Sequence, residues 1–116
     1  MKITRIYTGS DGQSHFEDVD IPLEQMKGSE SRSRLMPATG IILSQTSKDF
    51  KIDWHNAPRR QFLVTLQGEC EIVVGDGATR HFGPGDIMLA EDTTGQGHTT
   101  RGVGNRPSIY FIVTLD

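Results

Sequence analysis

The sequence contains one cysteine, few aromatic residues and no long apolar run. Because Cys70 is the only cysteine among 116 residues, an internal disulfide is excluded, and this cysteine usage is typical of a reducing compartment. No apolar stretch approaches the roughly 20 residues that a membrane-spanning helix needs, and no apolar signal segment follows Met1. We therefore expect a cytoplasmic protein without a membrane partner.

The sequence also lacks an excess of charge of either sign. It has 12 Lys and Arg against 15 Asp and Glu, a formal net charge of −3, and only 7% aromatic residues. Nucleic-acid-binding surfaces usually combine a basic excess with aromatic side chains that stack on bases. The composition therefore argues against nucleic acid as a partner.

Glycine and proline are plentiful and evenly spread. The 13 glycines and five prolines divide the chain into short segments, and several segments alternate apolar and polar residues as half-buried strands do. This pattern predicts one all-β domain spanning residues 1–116, with at most a short helical turn near residues 23–26 and exposed loops at 27–34 and 92–101. The predicted strands are residues 2–7, 15–23, 39–46, 62–66, 70–74, 78–82, 87–91 and 108–115.

Two short motifs flank the central hairpin of the second half. The first is residues 55–61 (HNAPRRQ), followed by an apolar run and Gly68. The second is residues 83–86 (GPGD), followed by a strand-like run and a glycine-spaced loop that contains His98. Histidines that neighbouring strands present to one interior can hold a divalent metal, and an incomplete set can line a pocket instead.

These residues resemble the motifs of the cupin superfamily, GxxxxxHxHxxxE with a later G and GxxxxxPxGxxHxxxN. The first motif keeps His55 and Gly68, but Ala57 replaces its second histidine and Gln61 its glutamate. The second keeps the PGD turn and His98, and its loop is two residues longer than the pattern. Thr93 and Gly102 replace its proline and asparagine. The resemblance covers roughly residues 40–115 and implies a jelly-roll β-barrel of two antiparallel sheets.

The resemblance also implies a metal site. Its ligand candidates here are His55, Gln61 and His98, and the implied cofactor is a divalent transition metal such as Fe, Mn, Ni or Zn. An alanine and a neutral glutamine occupy two of the four ligand positions, whereas a tight site usually has three or four protein ligands. We therefore expect weak metal binding or none, with the two histidines lining a pocket as the alternative.

Strand alternation predicts which other side chains share the pocket. If residues 55–65 stay extended, every second side chain faces inward, and Arg60 with the apolar residues 62, 64 and 66 faces outward. Arginine suits the recognition of carboxylate or phosphate groups. Arg101, near the same mouth, adds a second guanidinium. The predicted ligand-binding residues are His55, Arg59, Gln61, Thr65, His98 and Arg101.

The remaining candidates have simpler interpretations. His15 and His81 are expected to be solvated or structural, although His15 could fold over the mouth of the barrel. Cys70 is expected to be a buried apolar residue and Trp54 a packing residue. Glu91 and Asp92 could replace the missing glutamate, but two acidic residues in a loop are usually solvated.

Three functional hypotheses follow from the sequence. The first is a protein that binds a small polar or anionic organic molecule in its barrel, with a degenerate metal site. The second is a metal-dependent cupin enzyme of oxygenase, isomerase or decarboxylase type with a nonstandard ligand set. The third, a purely structural or partner-binding barrel, does not explain why His and Arg would share the pocket face. Exposed sheet edges and outer apolar faces further predict a homodimer, to which residues 2–7 and the face of Phe62 would contribute.

Overall fold

The computed structural model describes all 116 residues, and all of its regular structure is β-strand. No helix in it is long and apolar enough to cross a membrane. The strands are β1 (Lys2–Thr8), β2 (Ser14–Asp20), β3 (Glu24–Gln25), β4 (Ser31–Arg32), β5 (Gly40–Gln45), β6 (Lys51–His55), β7 (Gln61–Gln67), β8 (Glu69–Val73), β9 (Thr79–Phe82), β10 (Ile87–Glu91), β11 (His98–Val103) and β12 (Ile109–Thr114).

Ten of these strands form two sheets that face each other. The larger sheet has the order β2-β1-β10-β7-β12-β5, and the smaller has the order β6-β11-β8-β9. The strands β3 and β4 pair only with each other. The predicted all-β fold of two sheets is thereby confirmed. One pair departs from the expected antiparallel arrangement, because β1 runs parallel to β10.

The hydrophobic core lies between the two sheets. The larger sheet contributes Ile6 and Met88, and the smaller contributes Ile72 and Phe82, all of them buried. Each side chain comes from the inward face of an alternating strand, as the period of two residues requires. Full burial of an apolar side chain of this size stabilises the fold by about 1.5–3 kcal/mol.

The prediction of a surface loop at residues 92–101 is wrong in its second half. His98–Val103 forms β11, which lies between β6 and β8 in the smaller sheet. The sequence HTTRGV has no apolar alternation because the side chains that this strand turns toward the interior are polar. The helical turn expected at residues 23–26 is also absent, and β3 occupies that position.

The chain changes sheets between the first motif histidine and the strand that follows it. His55 ends β6 in the smaller sheet, and Gln61 begins β7 in the larger. Residues 56–60 cross between the sheets as a bent connection without regular structure. The expectation that residues 55–65 form one extended segment is therefore wrong, and alternation counted from His55 does not apply to Arg59.

Candidate functional site

A cavity of about 230 Å³ lies between the two sheets. At about 30 Å³ per water, this is the volume of roughly eight water molecules. Eleven of its 18 lining residues are hydrophobic, and none is Lys, Arg, Asp or Glu. The polar lining residues are His55, Gln61, Thr65, His98, Thr100 and Ser108, and Tyr110, counted among the hydrophobic ones, adds a phenolic hydroxyl.

His55 and His98 stand side by side at one end of this cavity. They are directly opposite each other on the antiparallel strands β6 and β11. Their ring centroids are 4.3 Å apart, and the rings are inclined at 61°. The Nδ1 atom of His55 lies 2.7 Å from the backbone oxygen of Asp53, so that contact orients the ring.

A buried carboxyl group holds the second imidazole. Asp92 is fully buried, and its Oδ2 lies 2.5 Å from Nδ1 of His98 and accepts a hydrogen bond of 2.7 Å from the Ser14 hydroxyl. Its other oxygen, Oδ1, is buried without a hydrogen-bond partner. The expectation that Asp92 is solvated is therefore wrong. Its role was missed because neither its loop position nor its spacing to His98 is a recognised signal.

The loop before β11 is tied directly to the turn after β6. The Asn56 amide donates hydrogen bonds of 2.9 Å to the Thr94 oxygen and 3.0 Å to the Gly95 oxygen. Gly97 has a φ of +77°, and an added Cβ would lie only 2.0 Å from the backbone oxygen of His55. Only glycine tolerates both the conformation and the close approach. This contact keeps the loop against His55 and so fixes one wall of the cavity.

Gln61 and Thr65 line the opposite wall from β7, and both are buried. The inward face of this strand is therefore the predicted one. The Oε1 atom of Gln61 accepts a hydrogen bond of 3.1 Å from Nη1 of Arg59. Because Oε1 of Gln61 already accepts a hydrogen bond from Arg59, the NH₂ group of Gln61 is the part of the amide that can donate a hydrogen bond to a molecule in the cavity.

The structure does not bring either predicted arginine into the cavity. Arg59 lies in the turn between the sheets and is exposed; it reaches the site only through Gln61. Arg101 is exposed on β11 and forms an ion pair of 2.8 Å with Glu71 of the neighbouring strand β8. The fixed positive charge that would favour an anionic ligand is therefore absent from the cavity lining.

The donor set at this end does not fit a tightly held divalent metal. In both imidazoles Nδ1 is hydrogen-bonded to an oxygen atom, and this arrangement is usual for histidines that bind a metal through Nε2. The third donor would be the amide of Gln61, and no group of three or more His, Cys, Asp or Glu residues is placed so that it could hold a metal ion. Two imidazoles and a neutral amide lack the third strong ligand and the negative charge of typical catalytic sites.

Cys70 on β8 is one of the residues that line the cavity. Burial raises the pKa of its thiol to about 11, and the negative charges of Asp86 and Glu71 act in the same direction. Because the thiolate is the nucleophilic form, this cysteine is a poor nucleophile at neutral pH.

The other candidate residues lie outside the cavity. His15 contacts Asp11 at 3.0 Å, His81 lies 3.5 Å from Glu69, and Trp54 is exposed on β6. Glu91 forms ion pairs with Arg5 and Arg60 on the outer side of the larger sheet. None of these side chains lines the cavity.

No protein-family model and no curated protein matches this sequence. Solved structures do, among them a protein of unknown function from Streptococcus pyogenes that is 17% identical, with a TM-score of 0.50 over 76% of this chain and 72% of that chain. A protein from Neisseria meningitidis is 16% identical, with a TM-score of 0.48 over 64% and 71% of the two chains. A protein from Salmonella typhimurium, described as a candidate ethanolamine utilization protein Q, is 12% identical, with a TM-score of 0.42 over 98% and 95%. At these identities the likeness concerns the fold alone.

Proposed function

We propose that this chain is a small cupin-fold protein that binds a small organic molecule between its two sheets. The observation that supports this most directly is the 230 Å³ cavity, apolar over most of its lining and provided with two imidazoles at one end. Ligand sites typically combine such an apolar lining with a few convergent polar groups. The cavity is smaller than those that hold drug-sized molecules, so the ligand is compact.

The single cysteine gives a direct test of occupancy. Because Cys70 lines the cavity and is the only thiol, N-ethylmaleimide at mildly alkaline pH reports access to this space alone. Protein purified under native conditions should react more slowly than protein from which bound molecules have been extracted. Mass spectrometry of the extract identifies the compound released. Equal reaction rates and an empty extract would contradict retention of a cellular ligand.

Two substitutions on β7 distinguish a ligand that binds in the cavity from one that binds elsewhere on the protein. Thr65→Phe fills the cavity from β7, whereas Leu66→Phe places the same ring at the next, exposed position. We expect Thr65→Phe to abolish retention of the extracted compound and Leu66→Phe to preserve it. Retention by both variants would place the binding site outside the cavity.

A second candidate function is a metal-dependent cupin enzyme of oxygenase, isomerase or decarboxylase type. The observation that favours it is the hydrogen bonding of both histidines through Nδ1, which leaves both Nε2 atoms for another partner. The incomplete donor set argues against it. Metal analysis of protein purified without added metal distinguishes the two functions, because only the enzyme would retain a stoichiometric transition metal.

A further inference from the structure

The hydrogen bonds around the two imidazoles determine which of their nitrogens carries a hydrogen. The partner of His55 Nδ1 is a backbone carbonyl oxygen, which only accepts hydrogen bonds, so Nδ1 is the donor. The partner of His98 Nδ1 is Oδ2 of the Asp92 carboxylate, which accepts from Ser14 as well. In its neutral form each imidazole has a single N–H, here on Nδ1, and its Nε2 atom is then an acceptor.

These two acceptors have no partner within the protein. Neither Nε2 atom takes part in a hydrogen bond, although both rings line the same cavity and their centroids are only 4.3 Å apart. Buried polar groups are normally satisfied, and two adjacent lone pairs attract a hydrogen-bond donor and repel an anionic oxygen. The two imidazoles together therefore favour a group that carries a hydrogen.

The rest of the lining argues against a charged ligand. No Lys, Arg, Asp or Glu lines the cavity, so a carboxylate, a phosphate or an ammonium group would lose its hydration without gaining an ion pair. Such a transfer is strongly unfavourable. The apolar residues Ile72, Phe82 and Met88 instead suit a hydrocarbon or aromatic body.

We infer that the ligand is an uncharged compact molecule of roughly eight non-hydrogen atoms, the number that the volume per water gives, with an apolar body and an O–H or N–H donor facing His55 and His98. This inference rests on the proposed function and specifies its ligand class. It replaces the carboxylate or phosphate ligand that the sequence suggested, since that expectation required Arg59 and Arg101 in the cavity.

Three matched compounds test the inference. The phenol 4-methylphenol offers a donor, 4-methylanisole has the same ring with that donor capped, and 4-methylbenzoate carries a negative charge without a donor. We expect titrations followed by NMR at pH 7.5, in the presence of a chelator, to show at least tenfold tighter binding of 4-methylphenol than of the other two. His98→Phe should remove this preference by weakening 4-methylphenol alone.

The outcomes distinguish the inference from the proposed function. Equal binding of the three compounds, or tightest binding of 4-methylbenzoate, would overturn the ligand class and leave the proposed function standing. Binding of none at millimolar concentration would overturn both. Because His98 is buried and His98→Phe could fail to fold, the ¹⁵N spectrum of wild-type histidines provides a second test. A hydrogen on Nε2 of either His55 or His98 in the neutral ring would overturn the inference.

Discussion

At the scale of single residues, the two histidines of the cavity are oriented by different kinds of partner. His98 takes its orientation from Asp92, which in turn is held by Ser14 on β2, 78 positions earlier in the chain. His55 takes its orientation from a backbone oxygen two residues away. The two histidines have very different surroundings, yet in both neutral rings Nε2 is the atom that can accept a hydrogen bond. This equivalence makes the pair suited to one shared donor.

The metal affinity of the site is predicted to depend on two residues. Ala57 and Gln61 both line the cavity, so Ala57→His together with Gln61→Glu would add an imidazole and a carboxylate to His55 and His98. We expect calorimetric titration to show at least tenfold tighter binding of Zn²⁺ or Ni²⁺ than in the wild type, because a tight site has three or four ligands. Leu66→His, on the exposed outer face, is the control and should change nothing. Wild-type protein that keeps a stoichiometric metal through chelator dialysis would contradict the prediction.

Gly97 offers a residue-scale test of how the cavity wall is held. Gly97→Ala brings a methyl group to 2.0 Å from the backbone oxygen of His55 at a positive φ. Gly77→Ala has a comparable φ of +87° but nothing within 4 Å, so it isolates the conformational cost of about 1 kcal/mol. We expect urea denaturation to show that the free energy of unfolding falls by about 1 kcal/mol in Gly77→Ala and by at least about 2 kcal/mol in Gly97→Ala. Equal losses would show that the loop moves away freely.

At the scale of elements, alternation works within a strand and fails across a turn. On β7, Gln61, Leu63 and Thr65 all line the cavity, as counting by twos predicts. Counting backward through the turn to Arg59 does not work, because β6 and β7 belong to different sheets. The direction of a side chain is thus predictable only where the backbone stays extended.

Three neighbouring segments of the larger sheet are joined by one carboxylate. Glu91 at the end of β10 lies 2.5 Å from Arg5 on β1 and 2.6 Å from Arg60 just before β7. Burial raises the pKa of Glu91, but the hydrogen bonds and charges of the two arginines outweigh burial and lower it below its ordinary 4.5. A carboxyl group with a lowered pKa stabilises the fold in its ionised form.

We predict that Glu91→Gln lowers the free energy of unfolding by about 1–2 kcal/mol at pH 7, after allowance for the exposure of the arginines. The contribution of Glu91 is fully present above pH 4.5 and is lost as the pH falls through the lowered pKa in the folded protein. Urea denaturation should therefore show that the free energies of unfolding of the wild type and of Glu91→Gln become equal at acid pH. Glu17→Gln, which removes only a 3.4 Å contact to Arg5, is the control and should have a smaller effect. A difference that persists unchanged at acid pH would contradict the electrostatic explanation.

At the scale of the whole molecule, exposed apolar side chains are concentrated in one stretch of the chain. Six of the ten large apolar residues that are exposed lie between Leu23 and Leu43. Among them are Ile41 and Leu43 on β5, which is an edge strand of the larger sheet. The N-terminal strand β1, expected at an interface, is paired on both sides and has no free edge. The edge strand β5 is therefore the stronger candidate for association.

The homodimer remains a prediction, now assigned to the edge strand. We expect light scattering at micromolar concentration to give twice the mass of the 116-residue chain, and Ile41→Lys with Leu43→Glu to shift the protein toward monomer. The physical reason is that charges on this face would have to be buried in a dimer. Trp54→Ser, which removes an exposed apolar residue from the smaller sheet, should leave the dimer intact. A monomeric wild type would refute the prediction.

The all-β class, eight of the twelve strands and the inward face of β7 could be predicted from the sequence, because turn residues and a period of two act locally. The resemblance in the motifs singled out His55 and His98, and the structure brings these two side by side. The burial of Asp92 behind His98 and the pairing of Arg101 with Glu71 outside the cavity became visible only in the folded protein. Both outcomes depend on which strands become neighbours, and the local pattern contains no information on that choice. For the same reason the sequence suggested a pocket with arginines, whereas the cavity between the packed sheets has no Lys, Arg, Asp or Glu in its lining.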